Sequence, residues 1–177
     1  MASELFVQTI KGPTSGANAN KVIVPTGQTL TAPGHVIQVV QNLTTTDTTV
    51  NSTGYTDTTL TATITPSSTS SKILVIVSQS ALIDIDTSIG QTKIKLFRGT
   101  TELEEYEYAP FIEVSGASTV KSNVYTNIQY LDSPSTTSAT TYKTQGRPNT
   151  FNNNGRSRFQ VGGTAAPSYM TLMEIAE

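Results

Sequence analysis

The side chains that usually carry protein chemistry are scarce in this chain of 177 residues. Cysteine is absent, which excludes a thiolate nucleophile, a disulfide framework and a cysteine-bound zinc. His35 is the single histidine, so a Ser-His-Asp arrangement would have to use it. It follows Pro33-Gly34 at the start of a strand-like run, where a structural or solvent-facing role is expected. Asp84 and Asp86 form a pair that could hold calcium if Asp132 or backbone carbonyls joined them. No EF-hand pattern surrounds them, and a solvated loop is the expectation, so no metal is assigned. The run Glu102-Leu103-Glu104-Glu105-Tyr106-Glu107-Tyr108 is rich in the carboxylates that glycoside hydrolysis uses in pairs. Spacing along one strand does not set a separation across a cleft. Acids on an exposed edge strand, where charge deters pairing with another sheet, explain the run better. No catalytic and no cofactor-binding residue is assigned.

Binding chemistry has more to draw on. Tyr106, Tyr108 and Phe111 lie beside a loop bearing proline and glycine, where aromatic rings stack on sugars or enter interfaces, core packing being the plainer role. Arg147, Arg156 and Arg158 bracket an Asn-rich loop, suited to an acidic glycan or a neighbouring subunit's acids, with ordinary solubility the plainer role. Tyr106, Tyr108, Arg147 and Arg156 are therefore the surface-binding candidates. Asn42-Leu43-Thr44 and Asn51-Ser52-Thr53 match the glycosylation pattern, as chance matches do in a Thr-rich chain.

Composition says what must position these residues. Apolar residues make up 36% and charged residues 14%, against about 45–50% and about 25% in average globular domains. Serine and threonine fill the difference, at more than a quarter of the chain. Threonine favours a pleated, half-buried surface, so the bias is toward β. A net charge of −2 without a basic block argues against nucleic-acid binding. The longest apolar run falls well short of a membrane span, and Met1–Lys11 lacks the pattern of a signal peptide, so assembly in a cytoplasm is expected. A core this lean is expected to need burial between subunits.

Along the chain, apolar residues do not recur at helical spacing, whereas strand-like runs bounded by turn residues recur from residue 20 onward. Residues 1–34 read as an extended docking arm, because Gly12–Asn20 is a polar linker dense in turn formers. Residues 35–177 read as the folded module. Expected strands are His35–Gln41, Thr59–Thr65, Lys72–Ser80, Thr92–Arg98, Thr101–Tyr106, Asn123–Leu131, Thr140–Gln145, Arg158–Val161 and Ser168–Ile175. Gly99-Thr100 supplies a hairpin turn. Asn123–Leu131 and Thr140–Gln145 are expected to pair with each other through Ser133–Ser138, and Asp84–Gly90 to be a loop. Ile73–Val77 is apolar on both faces, which suits a central strand. Ser168–Ile175 puts Met170 and Leu172 on one face and Tyr169, Met173 and Ile175 on the other. Both faces need cover, so this strand is expected inside a sheet, with Tyr169, Met173 and Ile175 against a neighbouring subunit. About eight antiparallel strands, first and last adjacent, make an all-β, jelly-roll-like sandwich.

Three stretches carry a resemblance. Thr65-Pro66-Ser67-Ser68-Thr69-Ser70-Ser71-Lys72-Ile73-Leu74-Val75, then Tyr130-Leu131-Asp132-Ser133-Pro134 with Thr140-Thr141-Tyr142, and finally Tyr169–Ile175 resemble the jelly-roll modules, similar to the C1q and tumour-necrosis-factor fold, of structural proteins in tailed bacteriophages. Leu5–Ile10 and Val22–Leu30 resemble N-terminal segments of phage fibre proteins. The resemblance implies a non-enzymatic virion protein: a homotrimeric fibre or knob that attaches by residues 1–34, with a host-surface glycan as candidate partner. The alternatives are a capsid decoration protein and, from a different class, a carbohydrate-binding or carbohydrate-cleaving module.

Overall fold

In a computed structural model, the structure describes residues 8–19, 21–26, 28, 32–85, 89–107, 111–113, 120–149 and 156–177. The chain divides into two compact units, Met1–Ala32 and Pro33–Glu177. In the first, the described residues form turns rather than helices or strands. Ala19 donates to the Gly16 carbonyl, and Lys21 to that of Asn18. Ile10, Val22 and Ile23 are exposed there.

The second unit is an antiparallel β-sandwich. Its described strands are β1 (Val36–Thr44), β2 (Thr48–Val50), β3 (Thr56–Ile64), β4 (Lys72–Ile85), β5 (Ile89–Arg98), β6 (Thr101–Tyr106), β7 (Phe111–Glu113), β8 (Val120–Asp132), β9 (Thr140–Pro148), β10 (Arg156–Phe159) and β11 (Ser168–Ile175). The helical content among the described residues is one short 3-10 turn, Gly163–Ala165. One sheet runs β1-β11-β4, with β8 on the far edge of β4 and β10-β2 continuing beyond β11 along its near edge. The other runs β3-β9-β5-β6, with β7 beside the start of β5. Strands β1, β11, β4 and β8 facing β3, β9, β5 and β6 are the eight strands and two Greek keys of a jelly roll.

The expected interior strands are interior. β11 lies between β1 and β4, and β4 between β11 and β8. Alternation explains the core: Ile73, Val75 and Val77 point in, as do Met170 and Leu172, and all are fully buried. They meet Leu60, Ile64, Ile94 and Leu96 from the opposite sheet. Gly146 makes room for the Phe159 ring, since a Cβ there would sit 2.2 Å from Phe159 Cζ. Gly99, at φ 57, makes the expected β5–β6 hairpin turn.

Several expectations need correction. β8 and β9 do not pair: β8 lies along β4, and β9 between β3 and β5. The Ser133–Ala139 segment arches between the sheets, a connection that alternation within each strand cannot tell from a hairpin. β4 also runs through Asp84 to Ile85, in a segment expected to be a loop. Asp132 lies opposite Ile73 while Lys121 lies opposite Asp84. Asp132 and Asp84 are thus at opposite ends of β4, roughly 35 Å apart at about 3.3 Å per residue, and cannot share a cation.

Polar side chains close the sandwich where its composition is lean. On the inward face of β1, Gln38 and Asn42 donate to the carbonyls of Thr65 and Thr61, tying β1 to the edge of the opposite sheet. The buried Glu174 carboxylate accepts from Gln38 Nε2 (2.5 Å) and from the Ser67 amide and hydroxyl (both 2.7 Å). Asp132 accepts from Arg98 (2.7 Å) and from the Tyr142 hydroxyl (2.6 Å), a clasp across the β8–β9 arch.

Candidate interaction faces

Inward positions are spent on the core, which leaves the two outward sheet faces open to contact; the register describes them row by row. On the β1-β11-β4-β8 sheet, Val39 lies opposite Met173, Met173 opposite Leu74, and Leu74 opposite Leu131. Four apolar side chains therefore cross all four strands in one row. Val39 is 56% and Leu131 52% exposed, while Met173 and Leu74 between them are half-buried by their neighbours. Ile175 and Ile76 flank the row on the same face, and Tyr169 lies farther along it, opposite Leu43. Tyr169, Met173 and Ile175 thus share the outer face, with Met170 and Leu172 inside. Such a band is larger than the scattered apolar residues normal on protein surfaces.

The outer face of the β3-β9-β5-β6 sheet is built differently. One row reads Asp57, Gln145, Lys95, Glu105, and the next Thr61, Lys143, Phe97, Glu102. Lys95 bridges Glu102 (2.7 Å) and Glu105 (3.4 Å), and Lys93 reaches Glu107 at 2.5 Å. The Tyr55 ring lies 4.5 Å from the Lys95 ammonium and 5.1 Å from the Arg147 guanidinium, a double cation–π arrangement. Its hydroxyl donates to Glu105. That hydrogen bond, helped by Lys95, holds the Glu105 carboxyl below its ordinary range. Burial and the same carboxylate push the Tyr55 hydroxyl up. Glu102, Glu105 and Glu107 are thus engaged with lysines on a solvated face.

The remaining candidates are dispersed. Tyr106 lies opposite the buried Ile94 and packs against the core, the plainer of its two roles. Its hydroxyl is pushed up by burial and by nearby Glu104. Arg156 is exposed on β10, away from the Arg147–Tyr55 cluster in register. Tyr108 and Asp86 lie outside the described residues, as does the Asp84 side chain. His35 is exposed before β1, its carbonyl accepting from Ala176. Among the described residues, no group of three or more His, Asp or Glu is placed to hold a metal.

A feature not anticipated from sequence lies between β3 and β9. Four steps along β3, Asp57 to Thr61, face two along β9, Gln145 to Lys143, so β3 bulges. Thr58 turns inward to Thr144 (2.6 Å) in a buried polar cluster with Gln79, Ser168 and Gln160. Thr59 is left at φ 68, a left-handed conformation rare for a β-branched residue. The bulge opens a pocket of about 200 Å³ lined by Asp57, Thr59, Leu60, Thr61 and Lys143.

No family model and no curated protein sequence matches the chain. Among solved structures it is similar to that of the infectious bursal disease virus Gx strain, at 10% identity and a TM-score of 0.41, over 86% of this chain and 42% of that one. It is similar also to a mutant VP2 protein of infectious bursal disease virus in derived particles, at 11% identity and a TM-score of 0.40, over 93% and 44%. A viral particle of the same virus gives 7% identity and a TM-score of 0.39, over 90% and 41%. The chain spans less than half the length of these structures, and a likeness this loose says nothing of function.

Proposed function

We propose that this chain is a non-enzymatic structural protein of a tailed-phage virion, displayed on the particle surface as a homotrimeric fibre or knob. Residues 1–34 attach it to other virion proteins, and a host-surface glycan is its external partner. The apolar row Val39–Met173–Leu74–Leu131 carries the reading, because a chain with so few apolar residues gains nothing by leaving such a band in water. Neighbouring copies are the simplest cover: in a closed ring of three, each subunit turns the same row toward the threefold axis and meets its neighbours through heterologous contacts. The threefold count and the virion location follow the resemblance of the turn before β4, the Tyr130–Tyr142 segment and the closing strand to phage jelly-roll modules. Deleting residues 1–34 tests the attachment. The remaining head is expected to stay folded and to be missing from purified particles. Normal incorporation of the shortened chain would remove the arm from this role.

A further inference from the structure

The pocket at the β3 bulge lies on the sheet face that the proposed assembly leaves free, and its polar lining keeps hydrogen-bonding capacity beyond what the fold uses. Lys143 Nζ donates to both Asp57 oxygens (2.9 and 3.0 Å), and Gln145 Nε2 donates to one of them (2.7 Å). A carboxylate has about four acceptor sites and an ammonium three donors. Asp57 keeps one acceptor position and Lys143 one donor position, both fixed in place by their mutual contacts. The Thr61 hydroxyl donates to the Tyr142 carbonyl (2.9 Å) and keeps its acceptor capacity. Phe97 lies beside Lys143 in register, with the ammonium 6.0 Å from its ring centroid. Hydrogen bonds from Lys143 and Gln145 outweigh burial and hold the Asp57 carboxyl below its ordinary range, so it stays an acceptor at neutral pH.

Donor and acceptor positions side by side, on a lining with one positive and one negative charge, match a vicinal diol. Each hydroxyl of a diol both gives and takes a hydrogen bond, whereas a free anion would meet Asp57 and a free cation Lys143. At about 200 Å³, below the ~300–1,000 Å³ of drug-sized ligand sites, the pocket suits one sugar ring rather than an oligosaccharide. Thr59, left-handed because of the same bulge, turns its hydroxyl to that of Thr44 (3.0 Å) at the pocket's edge.

We propose that the bulge pocket binds one ring of a neutral sugar, through Asp57, Lys143 and Thr61. This deepens the glycan part of the reading above and rests on it only there, since the pocket opens on the sheet opposite the apolar row.

The test is a titration of the labelled full-length chain with glucose, galactose and N-acetylglucosamine, followed by amide NMR, with inorganic phosphate as the charged control. Sugar at roughly 10 mM suffices for a millimolar Kd. At least one sugar is expected to shift the amides of Asp57, Thr59, Thr61 and Lys143 saturably, and phosphate is not. Asp57→Ala should weaken that binding at least tenfold, Thr61→Val should weaken it too, and Thr63→Ala should leave it unchanged. Absence of shifts with all three sugars, stronger shifts with phosphate, or undiminished binding in Asp57→Ala would overturn the proposal. Sedimentation of the same samples separates the two readings: lost sugar binding with an intact trimer sinks the pocket alone, and sugar binding by a monomer sinks the assembly alone.

Discussion

The outer faces of the two sheets differ more than their inner faces do. Both sheets send apolar side chains inward by alternation, Ile73, Val75, Val77, Met170 and Leu172 from one and Leu60, Ile64, Ile94 and Leu96 from the other, which suffices to make a sandwich. Outward, the β1-β11-β4-β8 sheet carries the Val39–Met173–Leu74–Leu131 row, whereas the β3-β9-β5-β6 sheet carries Asp57, Lys143, Lys95, Glu105 and Glu102 in ion-paired rows. Inner alternation dictates the fold and is indifferent to what the molecule does. The outer residues can vary without changing the sandwich, and their asymmetry is what the proposed assembly rests on.

The sharpest way to break the comparison is to place the same charge on each face. Met173→Asp, at the centre of the apolar row, is expected to remove about 1.5–3 kcal/mol of burial per subunit and to convert the assembly to monomer or unfolded chain in size-exclusion chromatography. Thr63→Asp on the opposite face should stay within about 0.5 kcal/mol of the native protein in urea melts and keep its oligomeric state. Equal effects of the two substitutions would mean that the faces are equivalent.

A smaller contrast compares two glutamates. Glu174 is buried and accepts from Gln38 and Ser67, so Glu174→Ala leaves those donors stranded and is expected to cost about 2–3 kcal/mol. Glu102, exposed and paired with Lys95, should cost about 0.5 kcal/mol when replaced by Ala. Urea denaturation of both variants measures the difference.

The smallest expected effect is in the pH profile. Burial would raise the Glu174 carboxyl, but the hydrogen bonds from Gln38 and Ser67 win and hold it below its ordinary value of 4.5. The unfolded chain therefore takes up the proton first. This stabilisation is complete above the ordinary value and is lost as pH falls through the depressed one. Melting temperature measured from about pH 6 down to about pH 3 should decline less steeply in Glu174→Gln than in the native chain. An unchanged slope would place the acid-sensitive group elsewhere.

Much of the architecture was legible in the sequence because alternation and continuous apolar runs report directly on burial. Ile73–Val77 and Ser168–Ile175 were readable as interior strands, and Tyr169, Met173 and Ile175 as an outward set, from periodicity alone. Pairing partners were less legible, as the β8–β9 arch shows, since a turn sequence does not say which sheet the chain returns to. β2 was lost in the polar Thr44–Gly54 stretch because three residues are too short for a pattern. The polar clasps at Glu174, Asp132 and Gln79 left no local signal, because each joins residues far apart in the chain. The bulge at Thr59 was hidden for the opposite reason: alternation of Thr58, Leu60 and Ala62 continues unbroken through it.

The central claim is that the apolar row is an interface between copies in a homotrimer. Sedimentation equilibrium of the full-length chain at micromolar concentration tests it most directly. A mass three times that of the chain is predicted, reduced to a single chain by Met173→Asp and unaltered by Thr63→Asp. A stable monomer under these conditions, with its apolar row open to water, would contradict it.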